Sequence, residues 1–151
     1  MFERTAEESM MKWLFAMCVA ALLQATAVGQ TQCSPDGSGG YSCFNYDSGT
    51  FSDVSPTSNG GYSVFDYGTG SYTDVTPKSG GGYQTYDYGT GAYGDATPRP
   101  NGGYDTYNYG TGTFGEVTPN GRGGYDTYDY GTGSFGSIES TGDGGFSVDN
   151  Y

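Results

Sequence analysis

Histidine is absent from this chain, and basic residues nearly so: five Lys and Arg stand against 17 Asp and Glu. Without histidine, the commonest general base and metal ligand near neutral pH is missing. No lysine or serine sits in a nucleophile context. The carboxylate pairs Asp126/Asp129 and Asp105/Glu116 belong to a repeating pattern, whereas a catalytic pair is needed once, in a pocket. The expectation is that the chain is not an enzyme. The shortage of positive charge also removes the patches that nucleic acids and anionic membranes require. Cations, basic proteins or a mineral surface fit the acidic balance better.

Large aliphatic residues are scarce too. Leu, Met and Trp occur only in the first 27 residues; beyond them stand Ile138, six valines and six phenylalanines. Ile, Leu, Val and Phe make up about 10% of residues 28–151. That is below the roughly 20% under which chains of high net charge tend to disorder. An enzyme-like aliphatic core is excluded, so order has to come from backbone ladders and tyrosine packing.

The first 27 residues are a different kind of sequence. Lys12 precedes the apolar run Trp13 to Leu23, and Ala25-Thr26-Ala27 offers small residues for cleavage. This is the layout of a helical secretory signal peptide, too short to span a bilayer. The acidic start (Glu3, Glu7, Glu8) does not suit an n-region, which points to Met10 or Met11 as the true start. Residues 1–27 are therefore expected to be removed, leaving a secreted, extracellular chain with no membrane anchor.

What the remainder has in abundance is glycine and tyrosine: all 29 glycines and all 16 tyrosines lie after residue 27. They are ordered by a repeat. Gly-Gly-Tyr recurs at residues 39–41, 60–62, 81–83, 102–104 and 123–125, and Gly-Gly-Phe at 144–146, at a period of 21 without insertion or deletion. A fixed period in this range marks repeat architecture. Within one copy, Tyr62 to Tyr67 is aromatic and β-branched, as a strand requires. Gly68-Thr69-Gly70 supplies a tight reversal, the two glycines giving the positive φ it needs. Ser71 to Val75 alternates small and large residues, a second strand, and Thr76-Pro77 ends it.

The expected fold is an all-β array of strand-turn-strand units stacked as β-hairpins or as a short β-solenoid. The alternative is a largely disordered Gly/Tyr-rich chain. Residues 28–54 form an atypical N-terminal capping repeat, 55–138 four 21-residue repeats, and 139–151 a truncated half-repeat. Ending on a half-unit leaves a strand edge open to self-association, unless another chain or a preceding strand covers it. Cys33 and Cys43 are the cysteines left after cleavage and most simply form one disulfide. Later copies carry Val64, Thr85, Thr106 and Thr127 where Cys43 stands.

Two kinds of side chain recur in columns. Asp66, Asp87 and Asp129, with Asn108 in line, form one; Asp74, Asp95 and Glu116 form another. They read as a solvated face, or else as weak sites for a divalent cation such as calcium. Stacked on neighbouring strands about 4.8 Å apart, the first column would carry mutual repulsion. Tyr62, Tyr83, Tyr104 and Tyr125, and likewise Tyr67, Tyr88, Tyr109 and Tyr130, read as packing groups of thin β layers. They read equally as interchain adhesive groups, oxidative cross-links included, with sulfation a third reading for tyrosines beside Asp. The strand-turn-strand unit resembles the layout of curli-type fibre subunits without their Gln/Asn ladder positions. The composition is similar to Gly/Tyr-rich eggshell, cuticle and adhesive proteins. The function expected is a secreted structural repeat protein of an extracellular matrix, coat or fibre. The alternatives are a disordered tyrosine-sticker matrix protein and a calcium- or mineral-binding surface protein.

Overall fold

The computed structural model describes residues 29–151, so the leader expected over residues 1–27 lies outside the described residues. Twelve antiparallel strands follow one another: β1 (Gly29–Pro35), β2 (Tyr41–Asn45), β3 (Thr50–Pro56), β4 (Tyr62–Asp66), β5 (Ser71–Pro77), β6 (Tyr83–Asp87), β7 (Tyr93–Pro98), β8 (Tyr104–Asn108), β9 (Thr113–Pro119), β10 (Tyr125–Asp129), β11 (Ser134–Ser140) and β12 (Phe146–Asn150). Each strand pairs with its sequence neighbours, and β1 also pairs with β12, which closes the sheet into a barrel. The all-β array of strand-turn-strand hairpins is as expected from the sequence. The array is not a solenoid, however, and it closes into a barrel, which was not expected.

Register explains the closure. Val64 faces Thr73 across β4 and β5, whereas Val75 faces Thr85 across β5 and β6. Each 21-residue unit therefore advances the ladder by two residues. The same offset appears at the seam, where Val148 faces Thr31 and Cys33 faces Cys43. A constant stagger on every strand is the condition for a sheet to meet its own beginning. A period kept without insertions supplies it.

The seam also corrects the assignment of the N-terminal segment as a cap. Cys33 stands 21 residues before Val54, so Gly29–Pro35 is the second strand of a unit whose first strand is β12. The truncated C-terminal copy is completed by the start of the described chain, and the unpaired edge it would otherwise leave does not exist. A closed ring has no end to cap. The atypical cysteines instead form the Cys33–Cys43 disulfide, which ties the closing strand to β2 at directly opposed positions.

Inside the barrel the alternation of the strands builds three levels. Tyr41, Tyr62, Tyr83, Tyr104, Tyr125 and Phe146 form an aromatic level near the Gly-Gly loops. Tyr41 and Phe146 meet edge to face across the seam at 5.2 Å between centroids. The middle level is small: Cys33, Val54, Ala96 and Ile138 are fully buried, with Val75 and Val117 close behind. The third level, beside the Gly-Thr-Gly turns, is polar: Asn45, Asp66, Asp87, Asn108, Asp129 and Asn150. Large rings on every second strand do the filling that leucines do elsewhere, which is how so aliphatic-poor a chain buries a core.

Glycine serves two separate needs. Gly60 has φ 80°, whereas a Cβ on its neighbour Gly61 would lie 2.1 Å from the Val75 carbonyl oxygen. In the turns only the second glycine has positive φ, 70° at Gly70. The first, Gly68, is required because a Cβ there would meet the Thr50 side chain at 2.5 Å. The sequence expectation of positive φ at both is thus corrected for the first.

The disulfide closes a loop of separation 10 across the seam. Replacing Cys33 and Cys43 together by serine is expected to cost about 2–3 kcal/mol, read as a lowered midpoint in urea unfolding. Amide exchange should quicken first in β1 and β12; an unchanged midpoint would show that the seam holds without the cross-link.

Candidate functional site

The inner and outer faces of the wall exchange character from one end of the barrel to the other. At the Gly-Gly end the rings point inward. At the Gly-Thr-Gly end the inner positions are Asx residues and the rings point outward. The cause is parity: Tyr62 and Tyr67 are five residues apart, an odd number, so a strand with period two sends them to opposite faces. Of the two tyrosine columns expected from sequence, Tyr62, Tyr83, Tyr104 and Tyr125 are interior. Tyr67, Tyr88, Tyr109 and Tyr130 are exposed.

The exposed tyrosines are part of a larger belt. Each lies near an aromatic one residue before the end of an even-numbered strand and one at or next to the start of an odd-numbered strand. In one unit these are Phe65, Tyr67 and Tyr72, with Phe65 4.7 Å from Tyr67 and 4.4 Å from Tyr72. Phe44, Tyr46 and Phe51 repeat the cluster, at 5.0 Å and 4.6 Å from Phe44. Further round, Tyr93, Tyr109, Tyr107, Phe114, Tyr130 and Tyr128 form one chain of ring contacts over two units. Sequence reading missed these flanking positions. The signal for them was the same parity, since Phe65 and Tyr72 alternate with the inward Val64 and Thr73.

Each turn tyrosine is held at both ends. The backbone N–H of Tyr88 donates to the Tyr72 carbonyl at 2.8 Å, and its hydroxyl donates to Asp74 Oδ2 at 3.0 Å. Tyr67 does the same with Asp53 at 2.9 Å and Tyr109 with Asp95 at 3.0 Å. In the first unit the acceptor is neutral, Tyr46 to Gln32 Oε1 at 3.2 Å. The hydrogen bond to the carboxylate, then its charge, holds the Tyr67, Tyr88 and Tyr109 hydroxyls above the usual phenol range. Tyr130 is raised as well, chiefly by desolvation and then by the Glu116 charge and hydrogen bond.

The two carboxylate columns therefore have different work. Asp74, Asp95 and Glu116 face outward and hold phenols. Lys78 pairs with Asp95 at 3.0 Å and Arg99 with Glu116 at 3.2 Å, while Arg122 reaches Glu139 at 2.9 Å. Asp66, Asp87 and Asp129 face inward and organise the turns. Asp87 Oδ1 accepts the Gly89 and Thr90 N–H groups at 2.8 and 2.9 Å. Asn108 makes the same pair of bonds to Gly110 and Thr111 at 2.8 and 3.2 Å. These Asx residues sit on alternate strands with an odd-numbered strand between. Their spacing is thus about two strand widths, near 9.6 Å, rather than the single width expected from stacking, and the repulsion argued for that column falls accordingly. Among the described residues no three carboxylate or cysteine side chains are grouped to hold a metal ion.

Comparison with known proteins finds no matching family model, no matching curated protein and no matching solved structure.

Two outcomes follow from this geometry. Asp87→Asn should leave stability within about 0.5 kcal/mol, because the amide oxygen reproduces the turn bonds as in Asn108, whereas Asp87→Ala should cost about 1–2 kcal/mol. Chemical denaturation of both variants checks this, and equal losses would remove the turn from the account. Alkaline titration tests the rings. Burial, then the neighbouring Tyr104 and Tyr62, pushes Tyr83 up to about 12. A raised folded value means that the fold favours the neutral phenol. Its contribution is therefore present below the ordinary value of about 10 and is lost as pH rises through the folded one. Absorbance at 295 nm should show a late tyrosine class, with far-UV dichroism collapsing over that window; uniform ionisation near pH 10 with the fold intact would contradict it.

Proposed function

We propose that this chain is a secreted structural protein of an extracellular matrix, coat or fibre, and that its barrel is an adhesive module presenting the aromatic belt. The observation that carries this reading is the belt itself. Rings that could have been buried stand outside the barrel, repeated at the period of the chain and fixed in place by backbone and hydroxyl bonds. Exposed aromatic surface of this extent marks an interaction site rather than incidental exposure. Repetition around a ring presents the same contact several times, so weak contacts add through multivalency.

The outer wall suits an aqueous extracellular setting better than immersion in lipid. A membrane-spanning strand needs about 9–11 residues, and these have five to seven. Beyond the belt, outward positions carry Asp53, Asp74, Asp95 and Glu116. Barrel closure also moves the expected route of self-association. With no strand edge free among the described residues, chains would meet through side chains of the belt. The disulfide is compatible with an oxidising compartment.

The test is partition between matrix and medium. Tyr72→Ser, Tyr93→Ser and Phe114→Ser together remove three outward rings without touching an inward residue. The native chain is expected in the insoluble extracellular fraction, and the triple variant, folded by circular dichroism, in the medium. Equal retention of both would refute adhesion through the belt.

A further inference from the structure

The hydroxyls of three turn tyrosines, Tyr67, Tyr88 and Tyr109, donate to Asp53, Asp74 and Asp95. These residues and Tyr130 are also among the most exposed aromatics described: Tyr67 59%, Tyr88 61%, Tyr109 56% and Tyr130 55%. We propose that Tyr67, Tyr88, Tyr109 and Tyr130 are sites of oxidative cross-linking, at which a one-electron oxidant of the peroxidase class joins one chain to another through dityrosine. The inference rests on the belt being the surface where chains meet.

The chemistry needs three things of a tyrosine, and these positions have them. The ring must be reachable by the oxidant and by a second ring, which the exposure provides. It must stay in place, which the backbone bond and the hydroxyl bond provide. Its proton must have somewhere to go, because a phenol that loses an electron becomes a strong acid. At Tyr67, Tyr88 and Tyr109 a carboxylate oxygen 2.9–3.0 Å from the hydroxyl lies within reach for direct proton transfer, and Glu116 is the carboxylate beside the Tyr130 hydroxyl. The hydrogen bond that holds the ring therefore also lowers the barrier to its oxidation.

The oxidant takes one electron from the ring while the O–H proton passes to Asp53, Asp74, Asp95 or Glu116, leaving a neutral phenoxyl radical. Two such radicals on two chains couple through their ortho carbons, forming one C–C bond. Each ortho hydrogen then shifts to its ring oxygen, restoring both phenols, and the carboxylates return their protons to solvent. Hydrogen peroxide, reduced through the peroxidase, accepts the two electrons and two protons and leaves as two waters.

The first unit contains its own control. Tyr46 occupies the same turn position at 58% exposure, and its hydroxyl donates to the Gln32 amide oxygen at 3.2 Å. An amide cannot take the proton. Exposure is matched while the hydroxyl's acceptor differs, so the two explanations for reactivity separate within one molecule.

The experiment treats the full chain with a haem peroxidase and hydrogen peroxide. Covalent oligomers are followed on denaturing gels, and cross-linked peptides are mapped by mass spectrometry. Interchain dityrosine is expected at Tyr67, Tyr88, Tyr109 and Tyr130, with Tyr46 slower by about a hundredfold. Gln32→Glu should bring Tyr46 up to the rate of the others. Asp74→Asn should drop Tyr88 to the rate of Tyr46 and leave Tyr109 unchanged. If Asp74→Asn does not fold, the gain at Gln32→Glu decides alone. Replacing the four turn tyrosines by phenylalanine should slow oligomer formation to the rate of Tyr46 but keep matrix retention, which separates this inference from the adhesive reading beneath it. Tyr46 coupling as fast as Tyr88, no gain from Gln32→Glu, or dityrosine confined to single chains would overturn the proposal.

Discussion

The ladder between β1 and β12 is the contact on which the rest of this molecule depends. A sheet of short strands, five to seven residues each, has little to hold it flat and two edges to protect. Closure removes both edges at once, so every strand has two partners. It also gives the rings on alternate strands a common interior. Without the seam, Tyr41 and Phe146 would lie at opposite ends of the array instead of edge to face. The disulfide lies beside that contact, with Cys33 opposite Phe146 and Cys43 on the same strand as Tyr41, and reinforces the strand that has the most to do.

The wall then sorts chemistry by parity. A single odd spacing inside the unit, from Tyr62 to Tyr67, places one tyrosine in the core and the other in the solvent. The same repeat thereby supplies packing and surface from one residue type. The carboxylates divide likewise: Asp66 and Asp87 turn inward to shape a reversal, and Asp53 and Asp74 turn outward to hold a phenol. Two residues of identical chemistry acquire unrelated roles because a strand has two sides.

Much of this was legible beforehand. The unit, its turn, its 21-residue period and the Cys33–Cys43 bridge all follow from local rules that need no knowledge of distant contacts. Closure did not follow, because it depends on a stagger summed over every unit, and no local pattern shows that sum. The role of Gln30 to Pro35 was hidden for a related reason: Cys33 and Gln32 replace the valine and aspartate of other copies, which masks their place in the repeat. Spacing placed the Asp column on adjacent strands. The strands in fact alternate between two kinds, so the column skips every second one. The belt could have been found in full by applying parity to Phe65 and Tyr72 as well as to the tyrosines.

A ring built this way counts its own repeats. An open solenoid can lengthen or shorten by one unit through slippage during replication, and its neighbours hardly notice. Here each unit contributes two strands and two residues of stagger to a circumference that must return to its starting point. Adding or losing one copy would change the diameter and separate or crowd the inner rings of all the others. Copy number is therefore not free to drift, and an otherwise variable kind of sequence is held to six aromatic positions around one axis.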